Sequence, residues 1–180
     1  MGNKAAIALF GMSGLLLLFS TYISLLPDVI ESRAEIEINC KKDELISCLS
    51  RATDWEEWLF QEQVKNAEGW KTISAGRSLG EGSVLKWFSK SVGDGALEIK
   101  KIDSAQIVFE RVSDNGSFQD RCYLNFQNNS DGLVIKMIDS LDLSANFFAR
   151  YEAQEESYIQ DINSNNFKVL KRLKFAVENK

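Results

Sequence analysis

The chain has 180 residues, 44% hydrophobic and 26% charged, which is a globular balance and not a disordered one. Lys and Arg number 21 against 26 Asp and Glu, and the formal charge of -5 argues against a nucleic-acid partner. There is no histidine, which removes Ser-His-Asp and Cys-His nucleophilic catalysis and every His-based metal site, and 3 cysteines are too few for a disulfide scaffold.

Residues 5–26 carry no charge. At 1.5 Å per residue a helix of that length reaches roughly 33 Å, enough to cross a hydrocarbon core. Lys4 precedes the segment, Pro27-Asp28 follow it, and Tyr22 lies near one end, where an interfacial ring is favourable. A cleaved signal peptide would have a shorter apolar core and a small-x-small cleavage site, and no Ala-x-Ala pattern stands between Ser20 and Arg33. The expectation is a transmembrane anchor or uncleaved signal over 1–28, with the membrane as a partner through residues 5–26, and a soluble domain over 29–180. Lys4 on one flank and Arg33, Lys41 and Lys42 on the other do not decide orientation. An early apolar segment usually acts as an export signal, so the domain is expected on the extracytoplasmic side.

Glu31 to Asn39 alternates, with Ala34, Ile36 and Ile38 on one face, and reads as a half-buried strand. Lys42 to Arg51 changes to helical period through Leu45, Ile46, Cys48 and Leu49. Asp54 to Leu59 reads as a second short helix with Asp54 as N-cap, and Trp55 and Trp58 share its face. Strands follow over Trp70–Ala75, Glu81–Ser89, Ala96–Ile102, Gln106–Val112, Asp120–Phe126 and Leu133–Ile138. Turn signals at Val92–Gly95, Asp114–Ser117 and Asn128–Gly132 separate them, which makes an antiparallel meander. The last forty residues are helical, beginning at Phe147, Phe148, Tyr151 and Glu155, and Asn163–Asn166 predicts a kink or break.

This order resembles the START-like helix-grip fold of the SRPBCC superfamily, in its polyketide cyclase/dehydrase and lipid-transport branch. The likeness rests on Glu35-Ile36-Glu37-Ile38-Asn39 as first strand and on Asp43-Glu44-Leu45-Ile46 opening the first helix. Asp54-Trp55-Glu56-Glu57-Trp58 stands for the family's Trp-x-x-Trp, and Gly82-Ser83-Val84-Leu85-Lys86-Trp87 for its glycine-led strand. Gly95-Ala96-Leu97-Glu98-Ile99, Ile107-Val108-Phe109 and the final Phe167-Lys168-Val169-Leu170-Lys171-Arg172-Leu173-Lys174 complete it, without the usual glycine in the last helix. The resemblance implies an α+β domain whose curved antiparallel sheet packs on a long C-terminal helix, with an apolar cavity or a solid core between them.

In that fold, alternation turns Leu85, Trp87, Leu97, Ile99, Ile107, Phe109, Leu124, Phe126, Leu133, Ile135 and Met137 inward. The C-terminal helix adds Phe147, Phe148, Ile162, Phe167 and Leu170. Arg111 and Asp139 extend the inward parity, and as a buried pair they would orient a polar ligand head. The favoured alternative puts each past its strand end in water. Trp55 and Trp58 either gate a ligand or, the plainer reading, pin their helix to the sheet. Cys40 and Cys48 would pair in an exported domain, but buried thiols are the simpler reading. Asn115-Gly116-Ser117 and Asn128-Asn129-Ser130 match the glycosylation pattern, in loops where turn chemistry also explains them.

The resulting expectation is a membrane-tethered domain that binds a small hydrophobic molecule or lipid, with no cofactor, no metal and no catalytic residue assigned. A cyclase- or hydratase-like enzyme would instead show a buried cavity carboxylate with a raised pKa. A protein-interaction module would show an exposed apolar patch.

Overall fold

The computed structural model describes residues 2–113, 118–130 and 132–179, with the side chains of residues 2–6 and 8 outside the description. The alternating segments all pair. Strands β1 (Val29–Ile38), β2 (Lys71–Gly76), β3 (Ser83–Phe88), β4 (Gly95–Ile102), β5 (Gln106–Ser113), β6 (Phe118–Asn129) and β7 (Gly132–Asp142) form one antiparallel sheet. Its order is β1-β7-β6-β5-β4-β3-β2, so β1 closes the meander by pairing with the last strand. β6 and β7 run several residues beyond the predicted spans. The predicted turn at Asp114–Ser117 lies outside the described residues.

Between β1 and β2 stand the helix α2 (Lys42–Leu49), a 3-10 turn (Ala52–Trp55), and two single-turn helices, α3 (Glu56–Leu59) and α4 (Glu62–Lys65). Asp54 is not an N-cap: it sits inside the 3-10 turn, 3.8 Å from Arg51 Nη1. The turn is tied to the sheet instead, where the Ala52 N–H donates to buried Ser83 Oγ at 3.0 Å. Glu56 fastens α3 to the β2 edge by accepting from Trp70 Nε1 and Thr72 Oγ1, both at 2.8 Å. Trp55 and Trp58 are buried in the core, with ring centroids 5.0 Å apart, and Trp55 meets Phe109 edge-on at 4.7 Å. They pin the helices to the sheet.

Two local devices shape the concave face. A bulge in β4 falls between Ile99 and Lys101, so Ile102 packs on the core although strict alternation from Ile99 turns it outward. Gly95 faces Trp87 across the β3–β4 pair, and a Cβ there would lie 2.2 Å from Trp87 Cζ2. Only glycine lets the indole lie flat on the strand.

The C-terminal region is two helices, α5 (Phe147–Glu152) and α6 (Glu156–Glu178). Asn146 caps α5 by accepting the Ala149 N–H at 3.0 Å. No break occurs at Asn163–Asn166, where α6 runs straight through. The low helix propensity of these asparagines is offset by their bonds to the sheet. Asn163 Oδ1 accepts the Arg33 N–H at 2.8 Å, and Asn166 bonds the Ser32 hydroxyl. Further along, Lys174 Nζ donates to Glu37 O at 2.9 Å and Glu178 Oε1 accepts the Asn39 N–H at 2.7 Å. The side chains of α6 thus satisfy backbone groups along the free edge of β1, an edge that would otherwise invite another strand.

Val169, Leu170 and Leu173 form the buried stripe of α6. Phe167 does not join it: the ring is 39% exposed and lies under Lys171 Nζ at 4.7 Å. At about 100° per residue the Asn166–Leu170–Leu173 face leaves Phe167 turned away. Phe147 and Phe148 are likewise exposed, not inward.

The predicted anchor is helical as α1 (Gly2–Ser24). Among the described residues, no helix is long and apolar enough to cross a membrane. Ile23 is the one described α1 side chain that is buried, while Phe10 and Leu15 to Leu18 are 62 to 81% exposed.

The α6 stripe sets a stability contrast. Leu170→Ala is expected to cost about 2–5 kcal/mol in denaturant unfolding, and Phe167→Ala less than about 0.5 kcal/mol. Equal losses would contradict the assigned helix face.

Candidate functional site

Leu85, Trp87, Leu97, Ile99, Ile107, Phe109, Leu124, Phe126, Leu133, Ile135 and Met137 lie together in one buried cluster under α6, with Leu170 and Leu173. The space between sheet and helix is filled by these side chains. A cleft of about 690 Å3 opens on the outside of α2 among Asp43, Glu44, Ser47, Cys48, Arg51, Asp54 and Leu79.

The apolar face is interrupted by a charged cluster where α6 crosses the sheet. Register brings its members into adjacent rows. Arg111 of β5 lies opposite Asp120 of β6, and Cys122 of β6 and Ser32 of β1 both lie opposite Asp139 of β7. Arg111 donates to Asp120 Oδ2 through Nε at 2.8 Å and through Nη2, and Nη2 also reaches Asp139 Oδ2 at 3.3 Å. Asn166 Nδ2 closes the cluster from α6, donating to Ser32 Oγ and, at 3.4 Å, to Asp139 Oδ2.

The pair read as solvated past its strand ends is therefore buried and joined. The side chain of Asp139 is 2% exposed and that of Asp120 10%, while Arg111 keeps 25%. Asp120 pairs with Arg111 too, a third member that sequence reasoning missed. The signal was there: Asp120 has the same inward parity as Cys122, Leu124 and Phe126.

Two carboxylates share one guanidinium, and the electrostatics follow. Burial pushes the Asp139 carboxyl up to about 6; Arg111 opposes that shift, Asp120 adds to it, and the Asn166 bond opposes it. Burial alone would lower the Arg111 pKa, but the Asp120 and Asp139 carboxylates raise it above its ordinary value. Burial first, then Asp139, pushes the Cys122 thiol well above its usual range, so it is an inert neutral group. Cys40, Cys48 and Cys122 are all thiols.

Two acceptors remain open. Asp120 Oδ1 and Asp139 Oδ1 are buried without a hydrogen-bond partner, as is Trp58 Nε1 in the main core. A buried acceptor left without a donor costs about 1–3 kcal/mol, more when charged. The two oxygens thus call for a donor. Beyond them lies a second, smaller apolar cluster of Leu143, Ala149 and Ala153, with Ile30, Phe118, Leu141 and Tyr158 half-buried around it. Among the described residues, no group of three or more His, Cys, Asp or Glu side chains could hold a metal ion.

No protein-family model and no curated protein matches this chain. Solved structures do. Ara h 8.0201 aligns with a TM-score of 0.58 at 14% identity, over 84% of this chain and 99% of its own. TTHA0849 from Thermus thermophilus aligns at 0.57 and 17% identity, over 83% and 98%. The di-domain ARO/CYC StfQ from the steffimycin biosynthetic pathway aligns at 0.58 and 12% identity, over 84% of this chain and 52% of its own. The chain spans about half the length of StfQ and of DynU16 from the dynemicin biosynthetic locus. These likenesses are of fold: a seven-stranded antiparallel sheet closed by a C-terminal helix, the helix-grip arrangement expected from the ordered motifs.

Asp139 makes stability depend on pH. Its folded pKa, about 6, lies above the ordinary 3.8, so the folded state holds the proton more tightly than the unfolded chain. The contribution is full below about pH 4 and is lost as pH rises through about 6. It amounts to roughly 3 kcal/mol. Asp139→Asn keeps the shape and removes the charge, so its unfolding free energy is expected to lose this slope between about pH 4 and 6. An unchanged slope in denaturant unfolding across that range would contradict the assignment.

Proposed function

We propose that the chain is a membrane-tethered domain that binds a small apolar molecule with a hydrogen-bond-donating head, a hydroxyl or an amine. The observation that carries this reading is the pair of buried, unpartnered carboxylate oxygens, Asp120 Oδ1 and Asp139 Oδ1, set in an otherwise apolar wall. A donor head satisfies them; a carboxylate or phosphate head adds a third negative group beside Asp120 and Asp139. Arg111 does not offset that, because both of its contacts already go to those aspartates. The apolar body of the ligand takes the direction of the second cluster, where Ala149 and Ala153 are small and their neighbours only half-buried. The neighbours in fold add support, since StfQ comes by description from the steffimycin biosynthetic pathway and DynU16 from the dynemicin biosynthetic locus.

The tether is supported by the exposed apolar side chains of α1, Phe10 and Leu15 to Leu18 among them, which face away from the domain. A helix that is apolar all round is stable inside a protein or inside lipid. A bilayer anchor also raises the local concentration of a ligand that partitions there.

A second reading has its own observation. A buried carboxyl near pKa 6 is poised as a general acid or base at neutral pH. It predicts that the bound molecule is converted, whereas the binding reading predicts that it is recovered intact.

The test is a titration of residues 29–180, free of detergent, with decanol, decylamine and decanoate, followed by tryptophan emission and by mass spectrometry of the recovered ligand. The alcohol or the amine is expected to bind at least about tenfold tighter than the carboxylate, a difference of about 1.4 kcal/mol. Asp139→Asn is expected to narrow that gap. Equal binding of all three, or of none, would overturn the proposal, and a chemically changed ligand would favour the enzyme.

A further inference from the structure

The aromatic contacts of α1 reach a part of the domain that the ligand site does not use. Phe19 meets Phe147 at 6.2 Å and Tyr151 at 5.8 Å between ring centroids, both edge-on, and Phe147 meets Phe148 at 5.7 Å. Phe147, Phe148 and Tyr151 all belong to α5. Among the described residues, the aromatic contacts between the domain and its apolar helix fall on this short, aromatic-rich turn, while Ile23 is buried at the helix end. Phe148 is 72% exposed, and Tyr151 of the same turn and Tyr22 and Leu25 at the end of α1 are exposed too. Water is a poor environment for such a patch.

Depth along α1 decides what covers it. Phe19 precedes the helix end at Ser24 by five residues, about 7.5 Å at 1.5 Å per residue. A group packed on Phe19 lies that far below the end of the apolar helix. If α1 is in lipid, α5 is at the level where Trp and Tyr rings gather at the bilayer interface. The polar groups of α5 suit that level. Arg150 turns back on the domain, donating to Leu143 O at 3.2 Å and to Ser144 O at 2.9 Å, so its guanidinium is drawn away from the aromatic patch. Glu152, Glu155 and Glu156 follow the patch, and they disfavour a strongly anionic surface.

We propose that α5 is a second membrane contact, a monotopic aromatic foot that seats the Phe147–Tyr151 turn in a zwitterionic lipid interface beside α1. The proposal rests on α1 being in lipid. It orients the domain, because α5 also covers the second apolar cluster through Ala149 and its C-cap Ala153. That end of the grip, with the Asp139 cluster just inside it, faces the bilayer, so an apolar ligand passes between membrane and domain without crossing water.

The test uses the full chain reconstituted in dioleoyl phosphatidylcholine vesicles doped with the same lipid brominated either near the headgroup or deep in the acyl chain. Two single variants, Leu17→Trp and Phe148→Trp, place a reporter in α1 and in α5 at positions exposed in the protein, and each is read as its excess emission over the parent chain. With both contacts in place, Leu17→Trp is quenched best by the deep bromines, and Phe148→Trp loses about half or more of its excess emission to the shallow ones. Quenching of Leu17→Trp without quenching of Phe148→Trp overturns the foot and leaves the tether standing. No quenching of Leu17→Trp overturns the tether, and the foot with it.

Discussion

Everything in this fold depends on one long helix being held in the hollow of one curved sheet. The stripe Val169, Leu170 and Leu173 fills the concave face, and full burial of such side chains is worth about 1.5–3 kcal/mol each. The same helix covers the free edge of β1 with Asn163, Lys174 and Glu178. Arg172 extends the grip to the other side of the core, donating to the carbonyls of Trp58 and Leu59 at 2.8 and 3.0 Å. Packing and hydrogen bonding are thus carried by different flanks of α6, and moving the helix would cost both.

Against that background the charged cluster is out of place as a stabilising device. Two carboxylates and one guanidinium removed from water gain little over a well-packed apolar triad, because desolvation offsets most of the attraction. Burial and the neighbouring Asp120 raise the Asp139 pKa to about 6, and above that pH both open oxygens are acceptors without donors. An arrangement that does not repay itself in stability is better explained by what it binds. Its place agrees with this: it separates the tightly filled core from a smaller cluster lined by alanines, beside the turn that meets α1.

Much of the architecture was legible in the sequence because strand period is local. Leu97 and Ile99, or Leu133, Ile135 and Met137, face inward as their alternation says, and the glycine and asparagine clusters mark where strands reverse. What was not legible depends on contacts across the chain. Asn163–Asn166 reads as a helix breaker until β1 and β7 supply bonds for its side chains. Phe167 reads as core until the helix phase is fixed by Asn166 and Leu170. Asp139 reads as solvated because nothing local shows that β7 continues past Ile138, and Arg111 because nothing local shows that Asp120 of β6 stands opposite it. The β4 bulge, which turns Ile102 inward, leaves no mark in the residue pattern at all.

The central claim is that Asp139 receives the donor head of a bound apolar molecule. Its most direct test is a carbon-detected NMR titration of the Asp139 side-chain carboxyl, without ligand and with saturating decylamine. Without ligand the carboxyl is expected to titrate near pH 6. A donor or cation at Oδ1 favours the ionised form, so the ligand is expected to lower that midpoint by about one unit or more. An Asp139 midpoint that stays in place while the ligand binds would contradict the account.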